Sequence, residues 1–573
     1  MKFIKIICLL LLLTACGQAD SITIRTRQMN PRENNTVTPY TIMIYMNGSD
    51  LESDFGAATT DLLEILESGL DSKNANVIIL TGGTKRWQND VVPADQCMVW
   101  KAADGYLIEL DAWGGRNMGE PCTLADFILF SQKNYPAQQY GLIMWDHGGG
   151  SIAGFGHDEK FDDSLTLLDM VWAFETAGLR EEKLSFLGFD ACLMATVEMA
   201  VLAADYAHVL IASEDLEPGD GWDYVFLSAL NDNPQISGAE LGVVIVDTFM
   251  DFYGVDSDEI LSLSVVDLAK VTPVMDTMGH LMALGSAHLD ADGFRTLARR
   301  RATTKTFGEG SPRDNYADMV DIGDMAVQLA DLFPREAARV LDALNACVLY
   351  NRHNSDVELY GLSTFYIYGG KSQGVASLRT YEALGANEAY TAYLHQFFEG
   401  LLTRRSGEFI SNERVLWQPV DSGTFRMAGL AASGDGSWPR LGGYFVSLFP
   451  ITQTAAARQY AIPARINERE ADIIVSISAR HPQGKIMGAR HRDGNVLQKG
   501  YDPIEVGDRI SLYALEWTRE VHLANENAMN WHETEVFTVD APLHLDWQPA
   551  MEDAKMGQRI TEIGHNVIYT VPR

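Results

Sequence analysis

The sequence predicts an α/β protein built on a mostly parallel sheet, with a helical extension and an all-β region behind it. Two observations carry the first part. Short apolar runs of strand length recur at YTIMIYM (40–46), NVIILTG (76–82), YGLIMW (140–145), LSFLGF (184–189) and HVLIASE (208–214). They do not alternate apolar with polar, which is the pattern of strands covered on both faces by helices. Helix-patterned stretches such as DLESDFGAATTDLLEILESG (50–69) stand between them. A third observation carries the rest. From about residue 430, GGYFVSLFPI, ADIIVSISAR, DRISLYALEW and NVIYTVPR are separated by polar turns with Gly and Pro, as in a β-sandwich.

The elements follow in order. MKFIKIICLLLLLTAC carries Lys2 and Lys5 before an apolar run, the form of a secretory signal and too short for a spanning helix. LTAC resembles the lipobox of bacterial lipoproteins, which implies removal of residues 1–15 and lipidation of Cys16. The resemblance implies export and a lipid anchor in the cell envelope; Gly17 after the cysteine resembles the outer-membrane sorting pattern of Gram-negative bacteria. Residues 16–39 are polar and read as a flexible tether. Residues 40–405 form the α/β unit, mostly helical in pattern from 235, with one further buried strand at VELYGLSTFYIYGG (357–370). Residues 406–573 form the all-β part, of unassigned role.

Composition excludes one class of partner. Asp and Glu number 78 against 44 Lys and Arg, a net charge of −34, and nucleic-acid binding needs a basic face. Of six cysteines, four lie beyond the leader: Cys97, Cys122, Cys192 and Cys347. That is too few for a disulfide scaffold of 573 residues. Cys97 and Cys122 are candidates for one pair in an oxidising compartment, and Cys347 reads as a core residue of an amphipathic helix.

The chemistry-bearing residues stand at predicted strand ends. YGLIMWDHGGG places His147 after the third run, with three glycines behind it. LSFLGFDACLMA places Cys192 at the end of the next. Ligands of open parallel sheets bind at the carboxyl ends of the strands. Neighbouring strands would bring the two side chains together across 45 residues. A thiolate attacking a carbonyl and an imidazole protonating the leaving amine make an acyl-transfer pair. Cys192 also begins a predicted helix, whose N-terminus lowers a thiol pKa. The plainer alternative is a buried cysteine and a satisfied histidine. No H-E-x-x-H and no G-x-S-x-G occurs.

WDHGGG with FDACLMA resembles the clostripain family of cysteine peptidases, related in fold to caspases, gingipains and legumain. YTIMIYMNGSDLES, PGDGWDY and YGLSTFY extend the resemblance from residue 40 to about 370. It implies a caspase-like αβα sandwich, with His147 as general base and acid and Cys192 as nucleophile. It also implies the backbone N–H groups of Gly148 and Cys192 as oxyanion donors. Cleavage after Arg or Lys in peptide and protein substrates is implied, and with it an acidic pocket. Asp190, two residues from Cys192 in an extended chain, would face the same cleft; capping the next helix is its alternative role. Asp220, in ASEDLEPGDGWDY, is the choice for a second pocket carboxylate. The resemblance also implies self-cleavage between the His and Cys elements, for which Lys160 is the one basic residue in 148–179. No cofactor is needed for the chemistry. Calcium is a possible addition at the acidic loops 158–163 and 215–223, neither of which has the EF-hand pattern. The rival reading is a surface lipoprotein with a degenerate peptidase fold that binds protein or glycan through its β module.

Overall fold

The computed structural model describes residues 24–27, 37–311, 317–369, 373–403, 408–409, 414–419, 424–431, 437–491, 498–518, 529–549, 555–557, 559–563 and 566–570. Cys16 and the leader lie outside the described residues.

The five apolar runs form adjacent strands of a ten-stranded sheet. In spatial order the central strands are Ala75–Gly82, Thr38–Asn47, Ala137–Trp145, Phe186–Asp190 and Val209–Ala212, all parallel. Antiparallel strands flank them: Cys97–Ala103 and Tyr106–Gly114 on one side, Ser262–Asp267 and Val348–His353 on the other. Alternate residues of one strand supply opposite cores. Leu142 and Met144 enter one apolar cluster, Ile143 and Trp145 the other, and helices cover both. This is the parallel sheet covered on both faces that the patterning implies, in the caspase-like αβα form that the family resemblance implies.

Local differences have identifiable causes. Thr26–Arg27 of the expected tether pairs with Tyr106–Gly114 as an edge strand. The stretch 50–69 is two helices, Ser49–Ser53 and Ala57–Glu67, broken where Gly56 takes φ 70. The strand expected within 357–370 is only Ser363–Phe365, and it belongs to a separate three-stranded sheet. The main sheet is instead extended by Ser262–Asp267 and Val348–His353, inside the region read as helical. Cys347 ends the helix Pro334–Cys347 and is buried, as a core residue should be. Cys97 is buried, Cys122 is exposed, and both are free thiols.

The C-terminal region is a set of antiparallel sheets. Its centre is Ala457–Ile466, Arg469–Ser478 and Lys485–His491, with Arg509–Thr518 across Ala457–Ile466. Ile462, Ile473 and Val475 pack on Leu441 and Leu545 from the smaller sheet and its flank. The region is fastened to the α/β unit by polar contacts. Gln459 donates to the Asp258 carbonyl at 2.6 Å, the Ser311 N–H to Asp472 at 2.7 Å, and Lys305 to Thr452 at 2.9 Å.

Candidate active site

Four parallel strands deliver their following loops to one edge of the sheet. Thr38–Asn47 leads to Ser49 and Asp50, Ala137–Trp145 to Asp146 and His147, Phe186–Asp190 to Cys192, and Val209–Ala212 to Glu217. The strand order reverses between the first two of these, a topological switch point, where open α/β sheets place their sites.

Asp146 locks the first two loops together. Its fully buried carboxylate accepts from Asn47 Nδ2 at 2.6 Å, Ser49 Oγ at 2.7 Å and the His157 N–H at 2.7 Å. Burial pushes its carboxyl up to about 6, against the nearby His147 and these donors. His147 then meets Asp50, with Nε2 at 2.8 Å from Oδ1. Burial acts to lower the His147 pKa, but the Asp50 carboxylate outweighs it and the imidazole ends above its ordinary value. Nε2 faces the carboxylate, so Nδ1 is the ring nitrogen turned away from Asp50.

Gly148 brings the histidine loop onto the cysteine loop. A Cβ at this position would stand 1.8 Å from the Cys192 carbonyl oxygen, so only glycine fits. Cys192 itself is fully buried, and its Sγ accepts the Glu217 N–H at 3.2 Å. Burial pushes its thiol up to about 12. The expected helix N-terminus is not at the thiol. The chain first turns through Leu193 at φ 60, and the helix Val197–Ala203 starts later, capped by Thr196. Leu193, Met194 and Ala195 pack into the core between the strand and that helix.

Glu198, on that helix, ties the site to the helical extension. It accepts from Ser151 at 2.7 Å, Thr364 at 2.5 Å and Tyr381 at 2.9 Å, all buried. Glu198→Ala strands three donors. Denaturant unfolding should show a loss of roughly 3 kcal/mol, at about 1 kcal/mol or more per unsatisfied group.

Beside Cys192 lies an acidic pocket. Asp190 is fully buried; its Oδ2 accepts from the Trp222 N–H at 3.3 Å and Tyr224 Oη at 3.1 Å. Glu217 is also buried, with Oε1 at 3.4 Å from Trp222 Nε1, and burial pushes its carboxyl well up. Asp61 stands behind, bonded to Trp145 Nε1 at 2.5 Å. Gly221, at φ 62, passes so close that a Cβ would be 2.5 Å from Asp190 Oδ1. Among the described residues, the cation paired with these carboxylates is Lys499, from the all-β region. Its Nζ donates to Asp190 Oδ1, lies 3.6 Å from Glu217 Oε2, and sits 5.7 Å from the centre of the Trp145 ring. Its backbone N–H donates to His147 Nδ1 at 3.0 Å. With this bond in place the ring proton is on Nε2, toward Asp50.

The structure thus brings His147, Gly148, Cys192 and Asp190 together. Asp220 is exposed on the rim of a 280 Å³ cavity that also touches Lys499, and Glu217, three residues earlier, is buried. Lys160 lies in the turn of a short hairpin, Phe155–Asp158 with Asp163–Leu165, rather than in an open loop; its Nζ donates to the Ala94 carbonyl at 2.7 Å. Among the described residues no group of three or more His, Cys, Asp or Glu side chains is placed to hold a metal ion, and the loops 158–163 and 215–223 are included. Three site residues escape the sequence reading: Asp50, Glu217 and Lys499. A signal existed for Asp50, since GSDLES follows a strand predicted to share the same sheet edge. None existed for Lys499.

The model of the clostripain family matches residues 44–399, which contain every catalytic-edge loop and stop short of the all-β region. Clostripain of Hathewaya histolytica is 30% identical over 230 residues, 35% of this chain and 43% of its own length. The match therefore spans under half of that relative. Among solved structures, a secreted C11 cysteine protease from Bacteroides thetaiotaomicron with an irreversible peptide inhibitor aligns at 15% identity and TM-score 0.46, over 61% of this chain and 99% of that one. An inactive zymogen C11 protease from Parabacteroides distasonis aligns at 21% identity and TM-score 0.47, over 62% and 98%. The fold and the paired histidine and cysteine loops define the class, a cysteine peptidase on an αβα sandwich. The chain belongs to the clostripain family.

Proposed function

We propose that the chain is an exported, lipid-anchored endopeptidase that cuts peptide bonds after lysine or arginine. One observation carries the specificity. The buried pocket walled by Asp190 and Glu217 beside Cys192 already receives a lysine side chain. A site lined by desolvated carboxylates favours a cationic side chain and rejects neutral or acidic ones. In the reaction, Cys192 Sγ attacks the carbonyl carbon after the basic residue, and His147 delivers a proton from Nδ1 to the leaving amine. Water then releases the acyl group. The backbone N–H groups of Gly148 and Cys192 are assigned to the developing oxyanion. The LTAC sequence supports the lipid anchor at Cys16.

The test is a panel of peptide reporters with Lys, Arg, Asp or Leu before the scissile bond, run on protein carrying Lys499→Ala so that the pocket is empty. Lys and Arg reporters should be cut and the others not; cleavage of Asp or Leu reporters overturns the pocket assignment. In the same background Asp190→Asn should lower kcat/KM for the Lys reporter by about 10²-fold or more, the effect of unpairing a buried charge. Cleavage of the chain after Lys160 belongs to the same reading. Incubated active protein should yield two fragments that co-elute, and Lys160→Ala protein should stay intact on a denaturing gel.

A further inference from the structure

We propose that the all-β region is an inhibitor in cis, which seats Lys499 in the substrate pocket with the backbone running against the direction of a substrate. The inference rests on the pocket reading above and adds a function for the C-terminal region.

The loop is built to hold this position. Asp502 exchanges backbone hydrogen bonds with Ala489 of the strand Lys485–His491, at 2.7 and 2.8 Å. Gln498 Oε1 accepts the His491 N–H at 2.9 Å. Tyr501 lies under the Arg490 guanidinium, 5.4 Å from ring centre to Cζ, and its hydroxyl donates to Gln459 at 3.0 Å. Both sides of Lys499 are therefore clamped to the β region, and the lysine projects from it. Gly500, at φ 72, lets the loop lie against the peptidase unit, where a Cβ would be 2.8 Å from Gly219 Cα.

The direction of the chain follows from three contacts. In a substrate, the pocket holds the side chain of the residue before the scissile bond, and the histidine protonates the nitrogen of the residue after it. Here both belong to one residue: Lys499 fills the pocket and its own N–H is the one on His147 Nδ1. The next nitrogen, that of Gly500, donates to the Glu217 carbonyl at 3.3 Å. Nitrogen at the histidine, its own side chain in the pocket and the next nitrogen on the Glu217 carbonyl, whose oxygen is 4.0 Å from Cys192 Sγ, is the order of a substrate read backwards. The amine that His147 would release and the side chain that the pocket recognises are on the same side of the bond, so the pocketed lysine is not presented as an acyl donor. Meanwhile the loop occupies His147 Nδ1, and the Cys192 thiol has no solvent exposure. Burial that holds the thiol in its neutral form accords with a resting state.

The experiment uses the full chain and two readouts. The first is alkylation of Cys192 by iodoacetamide, followed by mass spectrometry of the Cys192 peptide; it needs no assumption about specificity. The second is hydrolysis of the Lys reporter. Lys499→Ala empties the pocket, and Gly500→Val wedges the loop away from Gly219 with Lys499 kept. Both variants should alkylate at Cys192 at least about tenfold faster than the unaltered protein, the population shift expected when a buried ion pair no longer holds the closed form. Equal alkylation rates in all three proteins overturn the inhibitor. Faster alkylation with no Lys or Arg hydrolysis supports the inhibitor and overturns the pocket specificity. Equal alkylation with brisk Lys hydrolysis does the reverse.

Discussion

Cys192→Ala should abolish peptidase activity, with kcat for the Lys reporter falling by about 10⁵-fold or more, as when a covalent nucleophile is removed from an acyl-transfer site. The comparison belongs in the Lys499→Ala background, where the resting state does not mask the difference. The thiol is the single nucleophile at the meeting point of His147 and the acidic pocket, and alanine fits its buried site without strain. Stability should change little. A retained rate within tenfold of the parent would remove Cys192 from the chemistry.

Asp50→Asn should be the next largest loss. It keeps the shape of the side chain and removes the charge that faces His147 Nε2 at 2.8 Å. An amide there can hold the ring in the wrong tautomer, and kcat should fall by roughly 10²–10⁴-fold with KM nearly unchanged. The pH profile separates this from mere loss of structure. Asp50 raises the His147 pKa over the opposing effect of burial, so its removal lowers that pKa. The alkaline limb of kcat, where the imidazolium gives up the proton needed by the leaving amine, should move to lower pH. An unshifted limb would show that Asp50 does not govern the ring.

What could be read from the sequence was what local pattern encodes. Continuous apolar runs marked the five parallel strands because both faces of each are buried, and the polar residues just past their ends marked His147 and Cys192. Patterns failed where tertiary contact decides. Ser262–Asp267 and Val348–His353 sit in helix-rich sequence, and only pairing at the sheet edge makes them strands. That Glu217 is buried while Asp220, three residues on, is exposed depends on which way a loop turns, which no periodicity records. Cys192 was expected at a helix start because a helix-patterned stretch, CLMATVEMAVLAADY, follows the strand directly; the turn at Leu193 leaves no trace in that pattern. Lys499 is 352 residues from His147 and on another sheet system, so its role exists only in the folded chain.

The clamp on both sides of Lys499 has a kinetic consequence. A ligand carried on the same chain competes at a local concentration on the order of millimolar, whatever the concentration of the protein. Dilution cannot free the site, and soluble peptides ending in lysine must exceed that level or bind far more tightly to enter. Activity would then be governed by a unimolecular event, the departure of one loop, and progress curves from resting protein should begin with a lag whose length does not depend on how much enzyme is present.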